Sequence, residues 1–287
     1  MNSEPMDRRR FLQTALLGST VAITATALPE NASGALTKPP RPPDDGLKLG
    51  IASYTYRKFP LDKAMEWTRQ AGLKYINLKE VHLPLDSSAE ERAAVRQKVQ
   101  AAGLSLMGGG VIYLNNDEAR IRNAFDYAKQ SGMPTIVCAP VPEALDTVEK
   151  MAKEYQILIA IHNHGASDKS YPSPMDVYRL VKDRDPLMGI CMDVGHTAEI
   201  GADPVECLEQ CGSRMHDLHI KDISQPAPKG KTVPVGRGVL DIVGLLKALV
   251  QRQFPYHVGL EYEAQENDPQ PGVLESVGYM RGALAAI

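Results

Sequence analysis

Cysteine is scarce in this chain: four in 287 residues, without the repeated paired spacing of a zinc finger, which leaves neither a disulfide framework nor a finger to build on. Cys138 and Cys191 fall in apolar strand-like stretches and Cys207 and Cys211 stand one helical turn apart, so buried thiols are expected. Long apolar runs are lacking too. The stretch Thr14 to Leu28 covers roughly 15 residues, short of the ~20 that span a bilayer. No basic face stands out at a net charge of −3, which argues against sequence-independent nucleic-acid binding. Two glycine devices for phosphate are missing as well. Gly50-Ile51-Ala52-Ser53 is no dinucleotide turn. Gly108-Gly109-Gly110, with no Lys-Ser or Lys-Thr after it, reads as a close-approach turn.

What is present suits an ordinary globular protein: 43% hydrophobic and 23% charged residues, enough for one large domain of about 250 residues. The N-terminus stands apart from it. Asp7-Arg8-Arg9-Arg10-Phe11-Leu12-Gln13 before the short apolar stretch looks like a twin-arginine export signal, with Ala25-Thr26-Ala27 as the cleavage site. Such a signal implies the twin-arginine translocation machinery as a partner and a periplasmic or otherwise exported location, with no stable membrane insertion after cleavage. Lys38-Pro39-Pro40-Arg41-Pro42-Pro43 marks an extended linker. The expected organisation is a signal over residues 1–27, a Pro-rich linker over 28–46 and a single domain over 47–287.

From Leu47 onward a strand-then-helix unit repeats eight times. The strands are expected at Leu47 to Tyr54, Lys74 to Val81, Leu104 to Met107, Thr135 to Ala139, Ile157 to Ile161, Met188 to Met192, Met215 to Ile220 and His257 to Leu260. The helices between them carry readable signals, such as Ser88 followed three residues later by Glu91, and Gly132 closing the run from Asp117. Eight such units fit a closed (β/α)8 TIM barrel better than an open doubly wound sheet.

Polar residues gather where these strands end, which is where barrel active sites lie. Asp193 and His196 follow strand six, His219 and Lys221 end strand seven, and Glu261 and Glu263 end strand eight. Three successive strands that deliver ligand-type side chains to one end point to a metal centre.

The segments Ile161-His162-Asn163-His164-Gly165, Met192-Asp193-Val194-Gly195-His196, His219-Ile220-Lys221-Asp222, Val235-Gly236-Arg237-Gly238 and Leu260-Glu261-Tyr262-Glu263 resemble the sugar isomerase/epimerase superfamily with the xylose-isomerase-like barrel. That resemblance runs from Leu47 to the C-terminus. It implies one divalent ion, manganese before magnesium, cobalt or zinc, held by a Glu on strand four, Asp193, His219 and Glu261. Strand four here ends Val137-Cys138-Ala139-Pro140 without a carboxylate, so His164 is the first choice for the fourth ligand, ahead of His162 and Glu80.

Around the ion, Lys221, His162 and Glu80 are the expected catalytic groups, Lys221 as a proton acceptor. Of Lys79 and Glu80 only one can enter the barrel, because neighbours on a strand point opposite ways. His196 and Arg237 are expected to bind substrate, the latter with the flanking glycine N–H groups. Tyr54, Tyr56 and Tyr113 are candidates to stack on a sugar face, while Trp67 reads as outer-layer packing. The implied activity is a metal-dependent isomerase, epimerase or lyase acting on a sugar, keto-sugar or cyclitol through an enediolate. An apurinic endonuclease-like phosphodiesterase and a non-catalytic carbohydrate-binding barrel are the alternatives, and a homo-oligomer is compatible with either outcome.

Overall fold

Alternation of apolar and small or polar residues along short strands gives each strand one face for the helices and one for an interior. The computed structural model, which describes residues 46–226 and 230–287, places eight such strands in parallel. They are β1 (Lys48–Ala52), β2 (Tyr75–Leu78), β3 (Ser105–Leu114), β4 (Thr135–Pro140), β5 (Leu158–His162), β6 (Met188–Asp193), β7 (Met215–Ile220) and β8 (His257–Leu260). Each pairs with its neighbours in chain order and β1 pairs with β8, which closes the barrel. The expected export signal and most of the linker lie outside the described residues. Among the described residues no helix is long and apolar enough to cross a membrane.

Around the barrel run α1 (Leu61–Gln70), α2 (Ala89–Ala101), α3 (Glu118–Ser131), α4 (Leu145–Tyr155), α5 (Pro174–Val181), α6 (Val194–Glu199), α7 (Pro204–Cys211), α8 (Ile242–Gln251) and α9 (Gln270–Ala286). Local chemistry sets their ends. Ser88 and Glu91 form a reciprocal capping box on α2, Ser173 and Asp176 form another on α5, and Gly132 in the left-handed region stops α3. The strands' outward residues, Ile51, Ile76, Leu78, Ile136, Ile159 and Ile161 among them, join the apolar layer beneath these helices. A separate small cluster of Val111, Val137, Ala160 and Cys191 fills the opposite, inner side. All four cysteines are free and buried. Trp67 packs its ring 4.6 Å from Phe59 and 5.5 Å from Tyr56, in the outer layer.

Three features differ from the sequence expectation. β3 is ten residues long and contains Gly108–Gly110, which therefore form part of a strand and not a turn. A Cβ on Gly110 would lie 1.9 Å from the Val137 carbonyl oxygen, so the bare backbone is what lets β3 shift register against β4. The second is α6, a short helix that starts directly after β6 with Asp193 as its cap. Last, a small antiparallel hairpin pairs Asp222–Ile223 with Thr232–Val233 beyond the end of β7.

Two buried histidines serve the scaffold. His82 sets Nδ1 2.8 Å from Ser53 Oγ and Nε2 3.0 Å from the Phe59 carbonyl, and Ser53 Oγ also accepts from the Lys79 N–H. His216 places Nδ1 2.8 Å from the Ile159 carbonyl. Burial lowers the pKa of both below the ordinary 6.5. The folded state thus keeps them neutral at a pH where the unfolded chain already binds protons, and stability falls as pH drops below about 6.5. Melting curves should show the midpoint declining through that range, and His82→Gln should reduce the slope. A wild-type midpoint that is flat between about pH 5 and pH 7 would contradict this assignment.

Candidate metal centre at the barrel mouth

Period-two alternation on four consecutive strands brings four donors to one point. His162 ends β5, Asp193 ends β6, His219 is the penultimate residue of β7 and Glu261 follows β8. One donor atom from each lies within 4.8 Å of all the others, and all four residues are buried. His162 Nε2 is 3.1 Å from His219 Nδ1 and 3.8 Å from Asp193 Oδ2, and His219 Nδ1 is 3.3 Å from Glu261 Oε2. Donors on a shared ion at about 2.1 Å sit about 3 to 3.5 Å apart, so this set is already near the spacing of a coordination shell.

The two oxygens of Asp193 have separate tasks. Oδ1 accepts the His196 N–H at 2.9 Å and caps α6, while Oδ2 faces the cluster. Asn163 fixes the strand end from the other side: its Oδ1 accepts the Asp193 N–H at 3.0 Å, and its Nδ2 donates to Thr197 Oγ1 at 3.2 Å. Such outer contacts hold a ligand-type carboxylate in one rotamer.

Lys221, two residues beyond His219 and only 3% exposed, enters the same volume. Its ammonium is 2.9 Å from Asp193 Oδ2, 3.3 Å from Glu261 Oε2 and in contact with Glu263 Oε1. Burial alone would strip its charge, but Asp193, Glu261 and Glu263 override that and hold its pKa well above the ordinary value. Burial would likewise raise the Asp193 carboxyl, and the Lys221 ammonium instead holds it well below the usual range. Glu261 is depressed in the same way by His219 and Lys221. His162, by contrast, is driven well below its usual value, first by burial and then by His219. Two ionised carboxylates and the neutral His162 are protonation states that a divalent cation requires, whereas His219, raised well above its usual value by Cys191 and Glu261 despite its burial, would give up its proton as an ion enters; with that exchange the donor set fits one.

Above the cluster opens a cavity of about 370 Å³, walled by Tyr54, Lys79 and Tyr113 on one side and by His162, His164, His196, Glu261 and Glu263 on the other. His164 stacks on Tyr113 at 5.8 Å between ring centroids, with Nε2 3.3 Å from the phenol oxygen. Its Nδ1 is 3.2 Å from Asp168 Oδ2, close but without hydrogen-bond alignment. His196 Nδ1 is 2.8 Å from Glu199 Oε2.

A family profile described as xylose isomerase-like TIM barrel matches residues 65–283. The chain belongs to that family. A putative uncharacterized protein from Parabacteroides distasonis shares the fold at 25% identity and a TM-score of 0.65, over 83% of this chain and 99% of the other. A D-tagatose 3-epimerase-like protein superposes with a TM-score of 0.67 at 18% identity, over 84% and 98%. A probable 3-DHS dehydratase of petrobactin synthesis from Bacillus anthracis gives 0.67 at 13% identity, over 82% and 98%. No curated protein matches the sequence.

Within this xylose isomerase-like barrel Asp193, His219 and Glu261 come together, while four other expected residues differ in placement or charge state. His162, and not His164, is the imidazole that joins them, because β5 ends at His162 and His164 lies in the turn beyond, where alternation no longer aims it inward. Glu80 lines a separate surface depression with Arg120 and Asn123; Ile76 and Leu78 face the helices, so alternation sends Lys79 into the mouth and Glu80 away. Lys221 is held as an ammonium by Asp193, Glu261 and Glu263, and not in the deprotonated state expected of a proton acceptor. Arg237 is 66% exposed and paired with Glu275 on α9, so it does not reach the cavity.

The N–H groups beside Arg237 are also engaged within the chain. Asp222 Oδ2 accepts from Gly236 and Gly238, each at 2.9 Å, and Oδ1 accepts from Ile223 at 2.9 Å. Sequence reasoning missed Asp222 as the core of that loop, and Glu263 as a partner of Lys221. Asp222→Ala should cost about 3 kcal/mol or more of stability, since a buried carboxylate with four N–H partners, Leu240 the fourth at 3.4 Å, is lost. Arg237→Ala, which removes an exposed pair, should stay within about 0.5 kcal/mol of the parent in urea titrations. Equal effects would contradict the division of labour drawn for this loop.

Proposed function

We propose that this xylose isomerase-like barrel is a divalent-metal-dependent enzyme that isomerises, epimerises or eliminates on a sugar, keto-sugar or cyclitol by way of an enediolate. The observation that carries the reading is the buried quartet His162, Asp193, His219 and Glu261, converged beneath an open cavity with tyrosine walls. Names printed for structures of similar fold, among them L-ribulose 3-epimerase, D-tagatose 3-epimerase-like protein and a probable dehydratase, agree with this chemistry.

His162, Asp193, His219 and Glu261 would hold the ion; the two imidazoles favour a transition metal over magnesium, and manganese is put first on the family resemblance. A bound divalent ion would supply Lewis-acid polarisation of the sugar carbonyl and hydroxyl oxygens. The chain's own residues do the rest. Lys221 keeps Asp193, Glu261 and Glu263 ionised and in register, so the site is preorganised before ligand arrives. Tyr54 and Tyr113 offer flat faces to a sugar ring. His164, with Asp168 at one nitrogen and Tyr113 at the other, is the group best placed at the mouth to take or return a proton.

The endonuclease alternative is weaker. It needs a multi-ion cluster, yet among the described residues His216 is committed to Ile159 and His196 to Glu199, and the other potential ligand group reuses His162 and His219. Export across a membrane remains part of the proposal on the sequence pattern alone.

Single alanine substitutions of His162, Asp193, His219 and Glu261 should each remove bound manganese, read by elemental analysis, and should lower turnover by at least a hundredfold. His164→Ala should retain a full equivalent of metal. The quartet assignment fails if metal follows His164 and ignores His162. Lys221→Met gives an independent check. It strips three carboxylates of their counter-charge, so the metal-free variant should melt well below the parent, by about 3 kcal/mol or more. Added manganese should restore more of its stability than it adds to the parent.

A further inference from the structure

Lys79 is the one charged group in the cavity wall that the quartet and Lys221 leave unused. It follows β2 and is carried inward by the same alternation that turns Glu80 away. Its ammonium donates to the Val111 carbonyl oxygen at 2.8 Å and lies 6.0 Å from the Tyr54 ring centroid and 5.8 Å from that of Tyr113. Among the described residues no carboxylate comes within 4.0 Å of it. The backbone that presents it is anchored, since the Lys79 N–H donates to Ser53 Oγ at 2.8 Å, and Ser53 is held in turn by His82.

Charge counting gives this lysine a purpose. At the base of the cavity two ammonium groups, Lys79 and Lys221, meet three carboxylates, Asp193, Glu261 and Glu263. Among these five groups, with Glu80 left out because it faces the separate outer depression, the balance is one negative charge. With neutral imidazoles and a divalent ion in the quartet it becomes one positive charge, and one negative oxygen on the ligand would cancel it. Asp168 and Glu199 sit farther out, beside His164 and His196 on the partly exposed rim, where solvent screens them. Lys221 is saturated by its three carboxylates, so Lys79 is the cation with capacity to spare. Burial lowers its pKa, and the fields of Glu80 and Glu261 only partly offset this, as expected for an ammonium without a counter-ion in contact.

We propose that Lys79 is the anion-receiving residue of the site: its ammonium pairs with a single negative oxygen on the ligand, across the cavity from the quartet. This rests on the metal-dependent reading above. The anion has two sources. A neutral keto-sugar acquires it when the α-proton leaves and the bond's electron pair moves onto the carbonyl oxygen as an enediolate, whereas an acidic sugar brings it as a carboxylate.

Calorimetric titration of the manganese-loaded protein separates these. The probes are glycolohydroxamate, an enediolate mimic, D-glucuronate, a sugar carboxylate, and neutral D-tagatose. Lys79→Met should weaken at least one of the two anions by about tenfold or more, the loss of one charge-assisted hydrogen bond. It should leave D-tagatose within about twofold, and Lys79→Arg should recover most of the loss. An effect on the hydroxamate alone identifies the enediolate source, and an effect on D-glucuronate identifies an acidic substrate. Equal anion affinity in parent and variant, or an equal loss for all three probes, overturns the assignment while metal uptake leaves the enzyme reading intact. Failure to take up manganese sinks the enzyme reading instead, and Lys79 is then judged by D-glucuronate binding to the metal-free protein, where no dependence on Lys79 overturns it as well. Matching melting midpoints establish that the variant is folded, and Lys79→Gln replaces Lys79→Met if they differ.

Discussion

The structure of the site depends on one buried ammonium. Lys221 touches Asp193, Glu261 and Glu263, which arrive on two different strand ends and would otherwise repel one another in a volume nearly closed to water. Each of these groups is individually costly to bury, and only their mutual arrangement makes the charges tolerable. The consequence reaches the donors. Asp193 stays ionised chiefly because Lys221 stays protonated, and Glu261 because His219 and then Lys221 offset its burial, so His162 lies 3.8 Å from Asp193 and His219 3.3 Å from Glu261.

Backbone geometry supplies the other constraint. A residue is inside or outside this barrel by parity, and the large aliphatic residues set the parity of each strand. Ile51, Ile76, Ile136, Ile161, Leu218 and Leu260 belong to the layer beneath the helices, so their neighbours in the chain must point inward. This is why Asp217, His219 and Lys221 share a side, and why Glu261 and Glu263 meet them from the adjacent strand. Small residues complete the device. Ala139, near the end of β4, packs against Val111, Val137, Ala160 and Cys191.

How much was legible in the sequence follows from the same rule. The eight units, the closed barrel and the convergence of Asp193, His219 and Glu261 all depend on local periodicity, which a single chain displays. Lys79 over Glu80 was decidable too, because Ile76 and Leu78 already mark the outward face. What failed lay where periodicity ends. His164 stands two residues past the last residue of β5, in backbone at φ −118° and ψ 16° that no longer alternates, so its placement beside Tyr113 and Asp168 could not be read from spacing. Arg237 and Asp222 failed for a different reason: Glu275 and the loop amides they bind become neighbours only once the chain has folded. The charge state of Lys221 needed both lessons at once, since a lysine near an isolated cation and a lysine among three carboxylates shift in opposite directions.

The choice of strands that carry the quartet also shapes the cavity. A carboxylate on β4 would spread the donors over β4, β6, β7 and β8, whereas His162 gathers them on the contiguous run β5 to β8. The mouth is thereby divided. One half carries the donors and Lys221, and the half formed by the ends of β1 to β4 carries Tyr54, Lys79, Val111, Tyr113 and the short side chain of Ala139. One side thus presents three carboxylates gathered around Lys221, and the other presents aromatic surface with Lys79, an ammonium that no carboxylate among the described residues contacts. For the sugar ligand and ion proposed above, that asymmetry would favour few orientations, with the ring's apolar face and most electron-rich oxygen toward the β1 to β4 side and its chelating oxygens toward β5 to β8.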